Sequence, residues 1–397
     1  LFFNHESIVK KRFKLFEISL KVTECFIKKH SKEIVFNLKK VFVDKWFQPF
    51  YRGNFRYDEI YTVYLKSIWE TLTLCFPVVT TTLYSFDYRK FPMIHEMFDT
   101  LLIDEAGQSA IHTAIGPLYR FRKAVIVGDV FQLEPIHKYK NNLIETTKFT
   151  NEIKALVDVN ENSIQNAADR SSDVFDLIND QKVGMILNEH RRCENSIVQF
   201  SNKYVYGNSL ILTKEDQEKP FLKNNLIMID VRGTKEKNVN TSEIDICSRI
   251  VDKLLEINGE DYKKNIGIIT PYKNQVNRLA SNFKDISCGT VHAFQGKEKE
   301  TIILSLVIDD PRNIGNLNFV GGKPNFLNVA FTRAKSQLII VGNYEVCSTA
   351  RNYLSKAIQT VKDYGTIYSV YEPDYFENKK IDVEYKNQFL SLLVNES

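Results

Sequence analysis

The stretch that decides the fold is residues 101–108, which read LLIDEAGQ. An apolar run ends there in two adjacent carboxylates, Asp104 and Glu105. The same design recurs in residues 124–135, AVIVGDVFQLEP, where a second apolar run ends in a Gly-Asp turn. In α/β folds the carboxyl ends of parallel strands form the edge at which ligands bind. The two segments therefore predict two strands of an α/β sheet that carry polar chemistry at this edge.

The strand pattern extends over most of the chain. Short apolar runs bounded by polar turns are typical of buried parallel strands, and the chain between them is long enough for helices. The runs are Val78–Thr82, Leu101–Ile103, Val125–Val127, Leu226–Ile229, Ile266–Ile269, Ile302–Leu306 and Leu338–Val341. This alternation predicts a doubly wound α/β fold.

Composition shifts suggest the domain boundaries. Residues 1–48 contain no Gly or Pro, and their apolar residues recur at helical spacing, so we predict a helical segment over residues 1–75 with one face to bury. A polar stretch then separates a first α/β unit, residues 76–182, from a second, residues 183–350. Residues 351–397 are predicted to form a charged tail whose role the sequence does not indicate.

Bulk properties favour a globular intracellular protein. The chain has 397 residues and 43% hydrophobic content, and no apolar run reaches the roughly 18 residues of a membrane span. Its six cysteines are scattered without a C-x-x-C pair, which fits reduced thiols in the cytosol, or in the nucleus of a eukaryotic cell. The first residue is Leu, so we expect a fragment. We expect no membrane association, and no protein partner can be named.

Positive charge is concentrated at the N-terminus. Residues 1–52 carry 12 Lys or Arg against 5 Asp or Glu, a net charge of +7 in a chain whose total is +4. A basic arm of this kind suits a polyanion, because each neutralised phosphate releases counterions. On charge alone, a solvated helix face is an equally good interpretation.

The paired carboxylates have the chemistry of a Mg²⁺–nucleotide site. Asp104 would hold Mg²⁺, usually through water, and Glu105 would orient and deprotonate the attacking water. Gln132 supplies a neutral amide suited to sensing the γ-phosphate, and Gly128 and Asp129 in the preceding turn are predicted to contact the nucleotide. Each pattern alone also fits an ordinary solvated turn, but the distance between the two patterns, one strand–helix unit, favours the nucleotide site.

Three more motifs follow in order, and the usual first motif is missing. They are EHRRC (189–193), TVHAFQGKE (290–298) and LNVAFTRAK (327–335). The sequence contains no G-x-x-x-x-G-K-[ST] phosphate loop, although such a loop normally precedes motifs of this kind. The nearest matches, Gly296–Glu298 and Gly322–Pro324, lack the Ser or Thr and the upstream Gly. We therefore expect very weak nucleotide binding by residues 1–397 alone.

These motifs resemble the superfamily 1 helicases of the 5′-to-3′ branch, the group that contains the nonsense-mediated-decay RNA helicase and the replication helicase-nuclease. The resemblance covers nearly the whole chain, including the helical N-terminus, which is similar to an insertion in that family. It rests on FPVVTTTLYSF (76–86), FDTLLIDEAGQ (98–108), KAVIVGDVFQLEPI (123–136), LNEHRRCENSIVQFSNKYVY (187–206), IGIITPYKNQVNRL (266–279), TVHAFQGKEKETIILS (290–305) and LNVAFTRAKSQLIIVGN (327–343).

The resemblance implies two RecA-like P-loop NTPase domains, the first incomplete, with ATP in the cleft between them. It aligns Arg192 with the family's motif arginine and puts Arg191 where the family usually has Tyr, so either could be functional; we favour Arg192. Arg192 and Arg333 would reach the transferring phosphoryl group, which makes them candidate catalytic residues alongside Glu105 and Gln132. For each arginine alone, a surface salt bridge is the alternative.

Further candidates follow from the same alignment. The nucleotide is expected to contact Gln295, Gly296 and Glu298, with Glu298 accepting a hydrogen bond from a ribose hydroxyl. A single strand of RNA or DNA is expected to contact hydroxyls and rings at strand ends, namely Thr80, Thr81, Thr270, Tyr272, Thr290 and His292. Thr80 and Thr81 could equally fill a strand through β-propensity alone.

Two hypotheses result. The first is an ATP- and Mg²⁺-dependent 5′-to-3′ helicase or translocase on single-stranded RNA or DNA, of which this chain is a fragment without its phosphate loop. The second is a non-catalytic strand-binding scaffold, or half of a split motor whose partner supplies the loop. A nuclease is a weaker third option, because no carboxylate cluster with a nearby Lys lies outside the motifs.

Overall fold

The computed structural model describes residues 5–43, 59–86, 91–135, 150 and 162–370. They form two compact units. The first contains the described residues up to Asp104 together with Ala110–Val127, and the second contains Glu105–Ser109 together with the described residues from Gly128 onward. The predicted domain boundary near Lys182 stays a prediction. The observed units divide between Asp104 and Glu105 and between Val127 and Gly128, in the turns that follow the two strands of the first unit.

The first unit combines helices with a short parallel sheet. Its elements are α1 (Glu6–Lys29), α2 (Ser31–Phe42), α3 (Glu59–Cys75), β1 (Phe98–Ile103), α4 (Ile115–Arg120) and β2 (Phe121–Ile126). The Nδ2 of Asn37 donates to the Oγ1 of Thr71 at 2.8 Å and joins α2 to α3. Ile68, Trp69 and Leu72 of α3 form a small core with Phe91. The helical prediction is confirmed for α1, α2 and α3, but the predicted buried face is wrong for α1, which buries none of its residues.

The strand predicted over Val78–Thr82 is wrong. β1 and β2 pair in parallel from Phe98↔Phe121 to Ile103↔Ile126, but residues 76–82 are exposed and irregular. A strand persists only where its backbone amides and carbonyls find a partner strand, and no described strand pairs with this segment. Thr80 and Thr81 thus lie on an exposed connection after α3 rather than at a strand end.

The second unit is a larger α/β structure. Its helices are α5 (Ile164–Ser171), α6 (Asn195–Tyr204), α7 (Thr241–Asn258), α8 (Lys273–Asn282), α9 (Val291–Phe294), α10 (Ile314–Gly321), α11 (Asn325–Phe331), α12 (Tyr344–Thr349) and α13 (Tyr353–Tyr364). Its strands are β3 (Asp176–Ile178), β4 (Gln181–Val183), β5 (Glu189–His190), β6 (Ile211–Leu212), β7 (Leu226–Asp230), β8 (Lys235–Glu236), β9 (Val239–Asn240), β10 (Ile266–Thr270), β11 (Ser287–Thr290), β12 (Lys299–Ser305), β13 (Ala334–Gly342) and β14 (Thr366–Ser369).

Six of these strands form a parallel sheet in the order β11-β10-β12-β13-β7-β14. Every residue of β7 and β10 is buried, as expected for strands covered on both faces. Separate apolar cores lie on the two faces, one around Phe331 and Leu338 and the other around Ile250 and Ile339. The α/β prediction is confirmed.

The second unit extends beyond the predicted boundary at residue 350. α13 packs its buried residues Leu354, Ile358 and Val361 into the core of the sheet, and β14 pairs with β7 at the sheet edge. Residues 353–369 therefore belong to the folded unit, although the sequence predicted a tail there. The part of the predicted tail from residue 371 lies outside the described residues. None of the described helices is long and apolar enough to cross a membrane.

Candidate nucleotide and strand sites

Two glycines bring the first two motif turns of the second unit into contact. A Cβ on Gly107 would lie 2.3 Å from the carbonyl oxygen of Asp129, and one on Gly128 would lie 2.7 Å from the backbone nitrogens of Ala106 and Gly107. Only residues without a side chain allow backbones to approach this closely. The motif order seen in the sequence therefore corresponds to physical contact between the two turns.

The two carboxylates of the first motif differ in their settings. Asp104 follows β1 in the first unit and is exposed. Glu105 belongs to the second unit and adopts a left-handed backbone, φ 54° and ψ 38°. The Nε2 of Gln108 donates to the Oε2 of Glu105 at 2.7 Å. A left-handed non-glycine residue is uncommon and is often found where a side chain must be aimed. Glu105 is thus exposed and oriented by Gln108.

Asp129 organises the second motif turn. Its Oδ1 accepts from the backbone N–H of Phe131 at 2.9 Å, and its Oδ2 accepts from the Nε2 of Gln132 at 3.1 Å. The hydroxyl of Tyr206 donates to the same Oδ2 at 2.5 Å. Burial first, and then Asp129, raises the pKa of Tyr206 well above its ordinary value, so this phenol stays protonated as a donor. Asp129 therefore holds the side chain of Gln132. The sequence predicted a nucleotide contact for Asp129 and did not predict this role.

α11 holds the other side of this turn. The Nδ2 of Asn328 donates to the carbonyl oxygen of Phe131 at 2.9 Å and to the hydroxyl of Tyr206 at 3.2 Å. The Nδ2 of Asn325 contacts the carbonyl oxygen of Gln132 at 2.5 Å. The turn that carries Gln132 is therefore fixed by side chains of the helix that leads into Arg333.

We expect Tyr206→Phe to lower the free energy of unfolding by about 1–3 kcal/mol, because the half-buried carboxylate of Asp129 loses a charge-assisted hydrogen bond. Urea unfolding followed by far-ultraviolet circular dichroism measures this change. Tyr204→Phe is the matched control, since Tyr204 lies two residues away and its ring packs against Phe200 instead. Equal stability of wild-type and Tyr206→Phe protein would remove Tyr206 from this role.

The two candidate arginines lie in one charged cluster, which consists of Arg192, Glu298, Arg333 and Lys335. The Nε of Arg192 is 2.7 Å from the Oε2 of Glu298, whose Oε1 is 3.1 Å from the Nζ of Lys335. Arg191 instead pairs with Glu189 on an exposed surface. The structure therefore places Arg192, and not Arg191, in this cluster.

Arg333 is almost fully buried, with 3% of its surface exposed. Its Nε donates to the carbonyl oxygen of Val329 at 3.2 Å. Burial first, and then the charge of Arg192, lowers the pKa of Arg333, whereas Glu105 and Glu298 act in the opposite direction. Burying the guanidinium group of Arg333 beside the exposed Arg192 is costly unless an anion compensates the charge. Glu298 supplies one such charge, and Glu105 lies within electrostatic reach.

Glu298 is the counter-ion of Arg192 and Lys335 in this structure. Burial alone would raise its pKa, yet the hydrogen bond from Lys335 and the charge of Arg192 hold the pKa below its ordinary value.

The turn before Glu298 has two unusual features. Gly296 has φ +76°, a conformation that other residues adopt only with strain. The Nε2 of Gln295 is buried and has no hydrogen-bond partner among the residues described. An unpaired buried donor of this kind is rare and indicates a missing acceptor.

The predicted strand-contacting residues of the second unit fall at two adjacent strand ends. Thr270 and Thr290 are register partners in β10 and β11. Thr290 caps α9 by accepting from the backbone N–H of Ala293 at 3.4 Å. His292 is exposed, and partial burial of its ring lowers its pKa. Tyr272 is half-buried at the start of α8.

Thr270 stays a predicted contact, and its hydroxyl has no hydrogen-bond partner among the described residues. Its side chain is 0% exposed in this structure. The reason is geometric: Thr270 is the last residue of a strand with both faces covered, and the chain reaches the surface only at Tyr272.

A buried polar network that the sequence analysis missed supports these strand ends. The carboxylate of Glu243 is 0% exposed and accepts from the hydroxyl of Ser305 at 2.6 Å and from the backbone N–H of Val307 at 3.0 Å. Val307 has φ +56°, a strained conformation for a β-branched residue. The Nε2 of Gln275 donates to the same Ser305 hydroxyl at 3.0 Å. Glu243 therefore holds the loop after β12 and, through Ser305, the start of α8.

Burial raises the pKa of Glu243 to about 8. The unfolded carboxyl has an ordinary pKa of about 4.3, so between these values the folded protein binds a proton that the unfolded chain releases. The free energy of unfolding should therefore fall as the pH rises from about 4.5 to 8, by up to about 1.4 kcal/mol per pH unit. Urea unfolding at pH 5.5 and 7.5 checks this, and Glu243→Gln should lose that part of the pH dependence. A slope that persists in Glu243→Gln would assign it to other groups.

Among the described residues, no three His, Cys, Asp or Glu side chains gather into a metal-binding set. The cluster around Glu298, with its two guanidinium groups, one ammonium group and the unpaired amide of Gln295, suits a polyanion. The donor set therefore fits a nucleotide more closely than a bare metal ion.

Two family models described as AAA domains match residues 60–140 and 170–345. Three curated proteins are similar to this chain. They are a DNA replication ATP-dependent helicase/nuclease of Arabidopsis thaliana, 29% identical over 64% of this chain and 20% of that protein; the DNA polymerase alpha-associated DNA helicase A of Saccharomyces cerevisiae, 27% identical over 70% and 44%; and the regulator of nonsense transcripts 1 of Dictyostelium discoideum, 32% identical over 63% and 19%.

The chain thus spans less than half the length of each of these relatives. Among solved structures, similarity was found to the complex of Arterivirus nonstructural protein 10, a helicase, with DNA. That match has a TM-score of 0.33 and 12% identity, and it covers 66% of this chain and 42% of that one.

Proposed function

Because this chain belongs to superfamily 1 of the helicases, in the branch of the nonsense-mediated-decay helicase and the replication helicase-nuclease, we propose that it acts as an ATP-dependent helicase or translocase. Its substrate would be single-stranded RNA or DNA, along which it would move from 5′ to 3′. Two of the three relatives are named as helicases, and the direction and the substrate of this chain are our inference.

One observation carries the proposal. Glu105 lies within electrostatic reach of Arg333, and the turn that carries Gln132 contacts the turn after Glu105 and is held by Asn325 and Asn328 of the helix that precedes Arg333. A general base, a γ-phosphate sensor and a charge-neutralising arginine are the parts that phosphoryl transfer requires, because its catalysis consists mostly of positioning and charge stabilisation.

In this proposal each residue has one task. Glu105 accepts a proton from the attacking water, and Gln132 reports whether the γ-phosphate is present. Arg192 and Arg333 neutralise the charge that develops on the transferring group. Asp104 would hold Mg²⁺, which supplies charge neutralisation on the phosphate oxygens when it is bound. Gln295, Gly296 and Glu298 would line the nucleotide, with Glu298 exchanging its present partners for a ribose hydroxyl.

The alternative is a strand-binding module without turnover. It follows from the expectation that residues 1–397, which contain no G-x-x-x-x-G-K-[ST] loop to cradle the phosphates, bind nucleotide very weakly by themselves. The retained Glu105, Gln132 and Arg333 favour the helicase, because a module that only binds strands has no use for them.

A tailed-duplex assay tests the proposal and its direction together. The intact protein, given ATP and Mg²⁺, should separate a duplex with a 5′ single-stranded tail and leave a duplex with a 3′ tail paired. The two substrates are matched in length and sequence, and a blunt duplex serves as the background. Preference for the 3′ tail would reverse the proposed direction. Binding of both tails without any separation would favour the strand-binding module.

A further inference from the structure

An aromatic pair lies beside the carboxyl end of the large sheet. The rings of Tyr272 and Phe319 are stacked, with centroids 5.6 Å apart and planes 26° from parallel. Tyr272 follows β10, whereas Phe319 lies in α10, and the Tyr272 hydroxyl donates to the Oδ1 of Asn316 at 3.0 Å. Asn316 and Phe319 are three residues apart and therefore share one face of α10. The hydrogen bond and the ring stack thus fix Phe319 against the strand end.

Phe319 keeps a large part of its ring in solvent, with 54% of its surface exposed. Its ring also approaches Phe326 of α11, with centroids 6.3 Å apart. An isolated exposed apolar residue needs no explanation. A ring that is fixed from behind by a second ring and a hydrogen bond, and open in front, is instead a preformed stacking surface that loses little entropy when a base binds.

A lysine without a hydrogen-bond partner accompanies the rings. The Nζ of Lys235 lies 5.1 Å from the centroid of the Tyr272 ring and is buried, and it has no hydrogen-bond partner among the described residues. The backbone N–H of Lys235 donates to the Oδ2 of Asp309 at 2.7 Å, which fixes where this side chain starts. A buried ammonium group has three donors to satisfy, so this site lacks an acceptor.

We propose that Phe319, Tyr272 and Lys235 form a subsite for one nucleotide of a single strand, with a base stacked on Phe319 and a phosphate oxygen bound by Lys235. Stacked aromatic rings together with positive charge are the general means by which proteins bind single strands without sequence preference. The subsite rests on the proposed function and deepens it, because it assigns a base contact to α10 and a phosphate contact to the β8–β9 hairpin.

The surrounding charges are compatible with a phosphate. Lys237 and Lys273 are exposed on the same hairpin and at the start of α8, and the Nδ2 of Asn274 donates to the carbonyl oxygen of Lys237 at 2.9 Å. Asp309 is the opposing charge, and it already accepts the backbone N–H of Lys235. Both rings and the ammonium group belong to the second unit, so the subsite does not depend on the first unit.

Equilibrium binding to fluorescent strands tests the subsite without any need for ATP turnover. The strands are oligo-dT, oligo-U and an abasic strand of the same length. Phe319→Ala should weaken binding of both base-carrying strands by about tenfold, because one stacked base is worth about 1–3 kcal/mol, and should leave the abasic strand unchanged. Lys235→Gln should weaken all three strands and reduce the slope of log affinity against log salt by about 0.7.

Two controls separate the subsite from general effects. Ile314→Ala removes another exposed apolar side chain of α10, 66% exposed, and should leave binding unchanged. Phe319→Tyr keeps a stacking ring and should bind like wild type. Equal binding by wild type and Phe319→Ala, or equal losses on base-carrying and abasic strands, would overturn the subsite while leaving the proposed function intact. Failure of the wild type to bind any strand would overturn both.

Discussion

Arg333→Ala should lower strand-stimulated ATP hydrolysis by about 10³- to 10⁵-fold in the intact protein, because the substitution removes a charge that stabilises only the transition state. Single-strand affinity should change less than about threefold, since Arg333 is buried in the charged cluster and not at the strand ends. The measurement pairs steady-state turnover with equilibrium strand binding on the same preparations.

Matched variants make this result specific. Arg191→Ala removes an arginine from the same motif region that pairs with Glu189 on the surface, and its turnover should stay within about twofold of wild type. Arg333→Lys keeps a positive charge and the overall packing but loses the planar fork, so it should recover only part of the activity. Turnover that survives in Arg333→Ala would take this residue out of the site, and loss in Arg191→Ala would reverse our choice between Arg191 and Arg192.

Glu105→Gln should abolish turnover while nucleotide binding persists. A positioned general base contributes about 10²- to 10⁴-fold, and the amide keeps the shape of the side chain but cannot accept the proton. Binding of a fluorescent nucleotide should stay within about threefold of wild type, since the base acts on water rather than on the nucleotide.

The control for this substitution is Glu134→Gln. Glu134 is another exposed carboxylate of the second unit, with its Oε1 2.7 Å from the Nζ of Lys323. Removing its charge should leave turnover near the wild-type value. Full hydrolysis by Glu105→Gln would end its assignment as the base. Loss of nucleotide binding together with turnover would instead indicate that Glu105 binds the nucleotide.

The sequence predicts the large sheet well because its strands are covered on both faces. Continuous apolar runs such as Leu226–Ile229 and Ile266–Ile269 have few alternatives to a buried strand. Val78–Thr82 shows the limit of this reasoning. Its valines and threonines favour a strand, but pairing depends on a neighbour that local sequence does not specify, and the segment is exposed in the structure.

The candidate site could likewise be predicted only in part from the sequence. The resemblance to the helicase family was enough to name Arg192, Glu298 and Arg333 as candidates, and the structure gathers them into one cluster. The supporting contacts were missed because they join distant parts of the chain. Tyr206 bonds Asp129 across 77 residues, and Glu243 bonds Ser305 across 62 residues. No periodicity or spacing links such pairs, and only the folded chain shows that they meet.

The measurement that tests the central claim most directly is ATP hydrolysis by the intact protein with and without single-stranded RNA or DNA, beside the Glu105→Gln variant. We predict Mg²⁺-dependent turnover that rises when either strand is added and disappears in the variant. Strand binding without hydrolysis under any of these conditions would contradict the account and would leave a strand-binding module in place of a helicase.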